Sequence, residues 1–180
     1  MIQKIARSRR VLGIAAVIVL SPATNVDAVG DRDPVPDWTL RGADGTALNF
    51  YQHSEGRPAV ILFWATWCPY CRQLMPHLEK LRREFGEAGV EFYALNIWED
   101  GDPVAHMKEH GYGFHLLLEA DEVARAYGVK GTPGLIVVDE ERAVVYTRKS
   151  GTAPGRVESE LRSMLGATKP RGSRAEPHPG

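Results

Sequence analysis

The sequence predicts an α/β fold built on a central mixed β-sheet flanked by helices on both faces. Three observations carry that expectation. Two unbroken apolar runs, Ala59-Val60-Ile61-Leu62-Phe63-Trp64 and Leu135-Ile136-Val137-Val138, have the character of strands buried on both sides. Leu74, Leu78, Leu81 and Phe85 recur at intervals of four, three and four, the apolar stripe of a helix. Strand and helix patterns alternate along the chain, which requires helices on both faces of the sheet. A length of 180 residues suits one such domain, and a net charge of −1 offers nucleic acid no basic surface.

The N-terminal segment reads as a leader, not as part of the fold. Lys4, Arg7, Arg9 and Arg10 precede the apolar run Val11 to Leu20, and Val26-Asp27-Ala28 offers a cleavage site. Residues 1–28 are therefore expected to be a signal peptide cut after Ala28. An uncleaved anchor is the alternative, although the apolar run is short for a span. Cleavage would leave a mature chain of net charge −4, because residues 1–28 hold four cations and one acid, Asp27. Export implies a periplasmic or other extracytoplasmic, oxidising compartment. Residues 29–36, rich in Gly, Asp and Pro, read as a linker, and the domain is expected over 37–166.

Asp37 to Phe50 has the pattern of an N-terminal β-hairpin turning at Gly42 to Gly45. The strand at 59–64 is followed by the helix carrying the Leu74–Phe85 stripe, with Pro76 inside it as an expected kink. Val90 to Ile97 is a second strand and Pro103 to His110 a short helix ending at Gly111. Phe114 to Leu118 is extended, and Asp121 to Tyr127 is a helix stopped by Gly128. The strand after Thr132-Pro133 turns at Asp139 to Arg142 and pairs back through Ala143 to Thr147. Ala153 to Leu165 forms the last helix. Residues 167–180, rich in Pro, Gly and charge, are expected to be a disordered tail.

Only two cysteines are present, Cys68 and Cys71, two residues apart. A structural disulfide restricts the unfolded chain by closing a long loop. This spacer closes almost none, so a staple is a poor explanation. Placed where a buried strand meets a helix, the pair can cycle between dithiol and disulfide with little backbone movement. The helix N-terminus favours a thiolate at Cys68. Cys68 is then the attacking group, and Cys71, one turn deeper and less exposed, resolves the mixed disulfide. Pro69 fixes the first turn and donates no N–H beside the sulfur. Tyr70 adds a ring and a hydroxyl. Trp64 is expected in the core and Trp67 partly exposed beside Cys68.

Zinc needs four ligands, and no second cysteine pair or histidine at finger spacing accompanies the first, so no metal and no bound cofactor are expected. His106 and His110 are four apart on a helix, with His115 nearby in sequence. A solvated face explains them more simply than a metal. Glu99, Asp100 and Asp102 end a strand on the side of the sheet where sites gather, and an acidic loop is their default reading. Glu119 has no assigned role.

Phe63-Trp64-Ala65-Thr66-Trp67-Cys68-Pro69-Tyr70-Cys71-Arg72, with Pro76 five residues on, resembles the active-site block of thioredoxin-like proteins, most of all the exported TlpA/ResA/DsbE group. Trp38-Thr39-Leu40, Gly45, Leu48 and Gly56-Arg57-Pro58 resemble that group's hairpin extension. Tyr127-Gly128-Val129-Lys130-Gly131-Thr132-Pro133 is similar to its cis-proline loop. The resemblance covers roughly residues 36–165. It implies a thioredoxin fold with a helical insertion, catalytic Cys68 and Cys71, and a site shaped by Trp67, Pro69, Tyr70, Thr132 and a cis Pro133. It also implies a monomeric thiol–disulfide oxidoreductase that takes electrons from a membrane-embedded reductase and reduces disulfides in exported proteins. A dithiol oxidase or isomerase of the same fold, and a non-catalytic binding module, are the alternatives. The chain departs from the pattern where related proteins carry acids, with Leu62 six residues before Cys68 and Leu74 three after Cys71. Its Pro-Tyr spacer is more usual in glutaredoxins.

Overall fold

The computed structural model describes residues 34–167. The expected leader, most of the linker and the tail beyond Ala167 lie outside the described residues. Twelve elements follow in order: β1 (Thr39–Gly42), β2 (Ala47–Asn49), α1 (Phe50–His53), β3 (Ala59–Trp64), α2 (Pro69–Phe85), β4 (Glu91–Asn96), α3 (Pro103–His110), β5 (His115–Leu118), α4 (Asp121–Ala126), β6 (Gly134–Val138), β7 (Val144–Thr147) and α5 (Pro154–Ala167). The strands form one seven-stranded mixed sheet in the order β2-β1-β5-β4-β3-β6-β7.

β3 is parallel to β4 and antiparallel to β6, and all six of its residues are buried. Its side chains alternate between two cores, as the two-residue period of a strand requires. Val60, Leu62 and Trp64 face one core with Leu74, Leu78 and Leu81 of α2 and Val157 and Leu161 of α5. Ala59, Ile61 and Phe63 face the other, with Phe50, Tyr93, Leu95 and Val123. The same alternation divides Phe92 and Ala94 from Tyr93 and Leu95 in β4.

One element differs from the sequence expectation. Phe50 does not end the hairpin but opens α1. Asn49 accepts a hydrogen bond from the Gln52 N–H at 2.9 Å and caps the turn, and the Phe50 ring then stacks on Trp38 at 4.9 Å. α2 runs as one helix from Pro69 to Phe85 with Pro76 inside it, where Pro76 gives the Arg72 carbonyl no N–H. The segment at 114–118 is a true strand. β5 runs parallel to β4 and antiparallel to β1, so it welds the N-terminal hairpin onto the sheet. Val35, in the expected linker, is buried, and its N–H donates to the Arg142 carbonyl at 3.0 Å.

Glu79 is the buried acid of α2. It accepts from Arg82 Nε and Nη2 at 2.9 Å, from Arg83 Nε at 2.8 Å and from the Gly113 N–H at 3.1 Å, tying α2 to the loop before β5. Burial alone would raise its pKa, but the Arg82, Gly113 and Arg83 donors outweigh burial and hold it below the ordinary value. Its contribution to stability is therefore complete above the unfolded-state value of 4.5 and is lost as pH falls through the lower folded-state value. Glu79→Ala is expected to cost about 1–3 kcal/mol at pH 7 in urea unfolding. The difference from wild type should shrink below about pH 4.5; a constant difference down to pH 3 would contradict the assignment.

Candidate active site

The register of β3 gathers three loops at one end of the sheet. Trp64 ends β3 opposite Asn96, the last residue of β4, so the loops leaving both strands emerge together. β6 is antiparallel, and Phe63 pairs with Gly134, its first residue, so Pro133 arrives at the same end from the opposite direction. Cys68, Glu99 and Pro133 thus share an end of the sheet while lying far apart in sequence.

Cys68 is the N-cap of the 17-residue helix α2, with Pro69 in its first turn. Its Sγ accepts the Cys71 N–H at 3.1 Å, and its carbonyl accepts the Arg72 N–H at 3.2 Å. Sulfur thus fills the capping place more often held by a serine or aspartate oxygen. Cys68 and Cys71 are joined as a disulfide with their Cα atoms 5.3 Å apart. The expected difference in exposure is not seen: Cys68 is 1% exposed and Cys71 fully buried. The bond to Cys71 and the Cys71 N–H both hold the Cys68 sulfur over the helix end, away from solvent. Trp64 is buried as expected, whereas Trp67, at 45%, and Tyr70, at 64%, are exposed on either side of the pair.

Glu99 does more than end an acidic loop. Its carboxylate accepts from the Thr66 N–H at 2.9 Å, Thr66 Oγ1 at 2.5 Å and Asn96 Nδ2 at 2.5 Å. The Asp100 and Gly101 N–H groups, at 3.0 and 2.9 Å, complete its partners. Burial opposes ionisation, but the Thr66, Asn96 and Gly101 donors pull its pKa down to about 2. The carboxylate clamps the loop after β4 to the loop that delivers Cys68. Two further features fit the clamp. A Cβ on Gly101 would lie 2.5 Å from Thr66 Oγ1, so only glycine allows this approach. Trp98, held at φ +50°, accepts the Trp67 indole N–H on its carbonyl at 2.7 Å. A bulky residue in this left-handed region is strained, and such strain gathers at functional sites.

The Thr132–Pro133 bond is cis, and Pro133 is buried. Tyr70, Gln73, Thr132, Pro133, Arg148 and Thr152 line an open cleft of about 410 Å³ beside the pair. Arg148 donates through Nη2 to the Thr152 carbonyl at 2.9 Å. Leu62 and Leu74 are both buried in the same core as the cysteines. His106 and His110 stack at 4.2 Å on α3, but His115 is not with them. It lies on β5 against Glu91 and His53. Sequence reasoning named Glu99 without its role and missed Thr66, Asn96, Trp98 and Arg148. The one signal available was position at the carboxyl ends of parallel strands.

Comparison with known proteins agrees with this geometry. The model of the AhpC/TSA family matches residues 32–147. The thiol-disulfide oxidoreductase ResA of Halalkalibacterium halodurans is 31% identical over 124 residues, 68% of this chain and 70% of that protein. The thiol:disulfide interchange protein DsbE of Escherichia coli is 27% identical over 147 residues, 78% of this chain and 77% of that protein. A solved structure of a thioredoxin family protein from Chlorobium tepidum superposes with a TM-score of 0.67 at 21% identity, covering 77% of this chain and 99% of that one, and supports the fold.

Removing the clamp should loosen the active-site loop without removing sulfur chemistry. Glu99→Ala is expected to lower stability by about 1–3 kcal/mol, since four N–H donors and one hydroxyl lose their acceptor. Disulfide reduction should slow several-fold, and Trp67 fluorescence should lose its sensitivity to the redox state. Unchanged turnover and fluorescence would show that Glu99 does not position the loop. The folded-state pKa near 2 also fixes a sign: the contribution of Glu99 is present above the unfolded value of 4.5 and is lost between 4.5 and about 2 as pH falls.

Proposed function

The chain belongs to the AhpC/TSA family and is a thiol–disulfide oxidoreductase of the ResA and DsbE kind; on that premise we propose that it is an exported disulfide reductase acting on extracytoplasmic proteins through Cys68 and Cys71. The cation-then-apolar pattern of residues 4–20, with the cleavage pattern at Ala28, supports export. No helix among the described residues is long and apolar enough to cross a membrane.

In the proposed cycle the Cys68 thiolate attacks one sulfur of a substrate disulfide. A mixed disulfide forms, and the other substrate sulfur leaves as a thiolate. Cys71, deprotonated, attacks Cys68 Sγ and releases the second substrate thiolate. The protein is left as the Cys68–Cys71 disulfide, two electrons having passed to substrate. Water protonates the released thiolates. A membrane-embedded dithiol reductase returns the pair to its reduced form. The cleft between Tyr70 and Pro133 receives the substrate strand, with the backbone of Thr132 available to it and the exposed Trp67 at its edge.

One observation carries the direction. Both cysteines belong to an apolar core with Leu62, Trp64 and Leu74. Such surroundings disfavour the charged thiolate of the reduced pair and leave the neutral disulfide relatively stable. The N-terminus of α2, with the Cys71 N–H on Cys68 Sγ, works the other way. A pair that prefers its disulfide gives electrons to substrates.

Equilibration with glutathione or thioredoxin should place the reduction potential near the reducing end, about −270 mV; a value close to about −120 mV would make the protein an oxidase. Cys71→Ser should trap a mixed disulfide with substrate in extracts of the extracytoplasmic compartment, and Cys68→Ser should trap none. Labelling of Cys71 ahead of Cys68 by iodoacetamide at mildly acidic pH would reverse the assigned roles.

A further inference from the structure

The end of the sheet remote from the cysteines gathers a second group of chemically able side chains. His53 is the last residue of α1, Glu91 the first of β4 and His115 the first of β5. Ala59 pairs with Glu91 and Tyr93 with His115, which sets both strand residues at the start of the sheet's parallel strands. Cys68 lies beyond the other end of β3, about 16 Å away along a six-residue strand.

We propose that His53, Glu91 and His115 form a binding site for a first-row divalent cation, with Zn²⁺ as the ion that suits the donor set. One donor atom from each residue lies within 4.8 Å of the others. His115 Nε2 is 2.7 Å from Glu91 Oε2, and His53 Nδ1 is 4.0 Å from the same oxygen. Ligands bound to zinc at about 2.0–2.2 Å on a tetrahedron lie roughly 3.4 Å apart, and the two separations fall on either side of that spacing. Two imidazoles and one carboxylate make a three-ligand site with a fourth position for water. Among the divalent metals, imidazole suits zinc, copper, iron and nickel.

The surroundings resemble an outer shell. Arg57 Nη1 donates to Glu91 Oε1, which fixes the carboxylate and leaves Oε2 for the cation. The Tyr93 hydroxyl, 2.7 Å from His53 Nδ1, is a competing partner for that nitrogen and turns away from it when a cation binds. The Arg57 hydrogen bond is of the sort that sets ligand orientation in metal sites. The His106–His110 pair on α3 lacks these features. Among the described residues no third donor joins that pair. A cation at His53, Glu91 and His115 would tie α1, which follows the N-terminal hairpin, to two strands of the main sheet.

The test uses the full chain with Cys68 and Cys71 oxidised, so that no thiol is available. Zn²⁺ is titrated at pH 7.5 against a chromophoric chelator, and Co²⁺ is titrated for its visible ligand-field bands. One equivalent should bind. His53→Gln and His115→Gln should each weaken binding at least about ten-fold, the lower end of what metal-site substitutions cost. The His106→Gln, His110→Gln double variant should bind as wild type does. Zn²⁺ should raise the unfolding temperature of wild type and leave that of the His53→Gln, His115→Gln double variant unmoved. His53 is partly exposed, so His53→Gln keeps the test usable if His115→Gln fails to fold. Absence of a saturable site in wild type, or affinity unchanged by His53→Gln, would overturn the proposal.

Discussion

Six consecutive residues, Ala59 to Trp64, must bury side chains on both faces of the sheet while their backbone is bonded along both edges. Nothing polar can be placed among them, and nothing can slip by one residue, because a slip would exchange the two cores. The end of β3 is therefore fixed in space, and the chain leaving it reaches the start of α2 within four residues. The sulfur of Cys68 inherits that rigidity as the cap of the helix. The cis Pro133 inherits it as well, since the antiparallel pairing of β6 with β3 sets where its loop arrives.

The reacting end is organised by hydrogen bonds and the core behind it by apolar contact. Glu99 is ionised and saturated with donors, so it serves as a fixed strut between two loops and has little capacity left to take a proton. Leu62 and Leu74 supply no acid of their own behind the disulfide. Charge is thus kept at the rim of the site and excluded from its floor. This arrangement differs from one in which a buried carboxylate serves the second cysteine.

The far end of β3 and β4 shows the opposite chemistry. There Glu91 is buried against Arg57, His53 and His115; burial would raise its pKa, but the His115 hydrogen bond and the Arg57 charge hold it below the ordinary value. The same sheet holds an apolar redox pair at one end and a polar, imidazole-rich cluster at the other. The N-terminal hairpin and α1 bring His53 to that cluster, so the extension contributes chemistry as well as an extra edge to the sheet.

Hydrophobic period and cysteine spacing were enough to show the mixed sheet, the helix with its Leu74–Phe85 stripe and the disulfide pair, because each is a local property of consecutive residues. The turn at α1 escaped because Asn49, a cap, outweighed the strand-like look of Phe50. The equal burial of Cys68 and Cys71 also escaped, since it depends on which way a sulfur turns once bonded. Sequence alone determined that two cysteines would stand where a buried strand gives way to a helix. Only the tertiary structure decided that Glu99 would clamp Thr66, and that His115 would leave its sequence neighbours His106 and His110 for His53 and Glu91. Those pairings follow from sheet register, which brings together residues 24 to 62 positions apart, and no local pattern in the chain records where a parallel strand will find its neighbour.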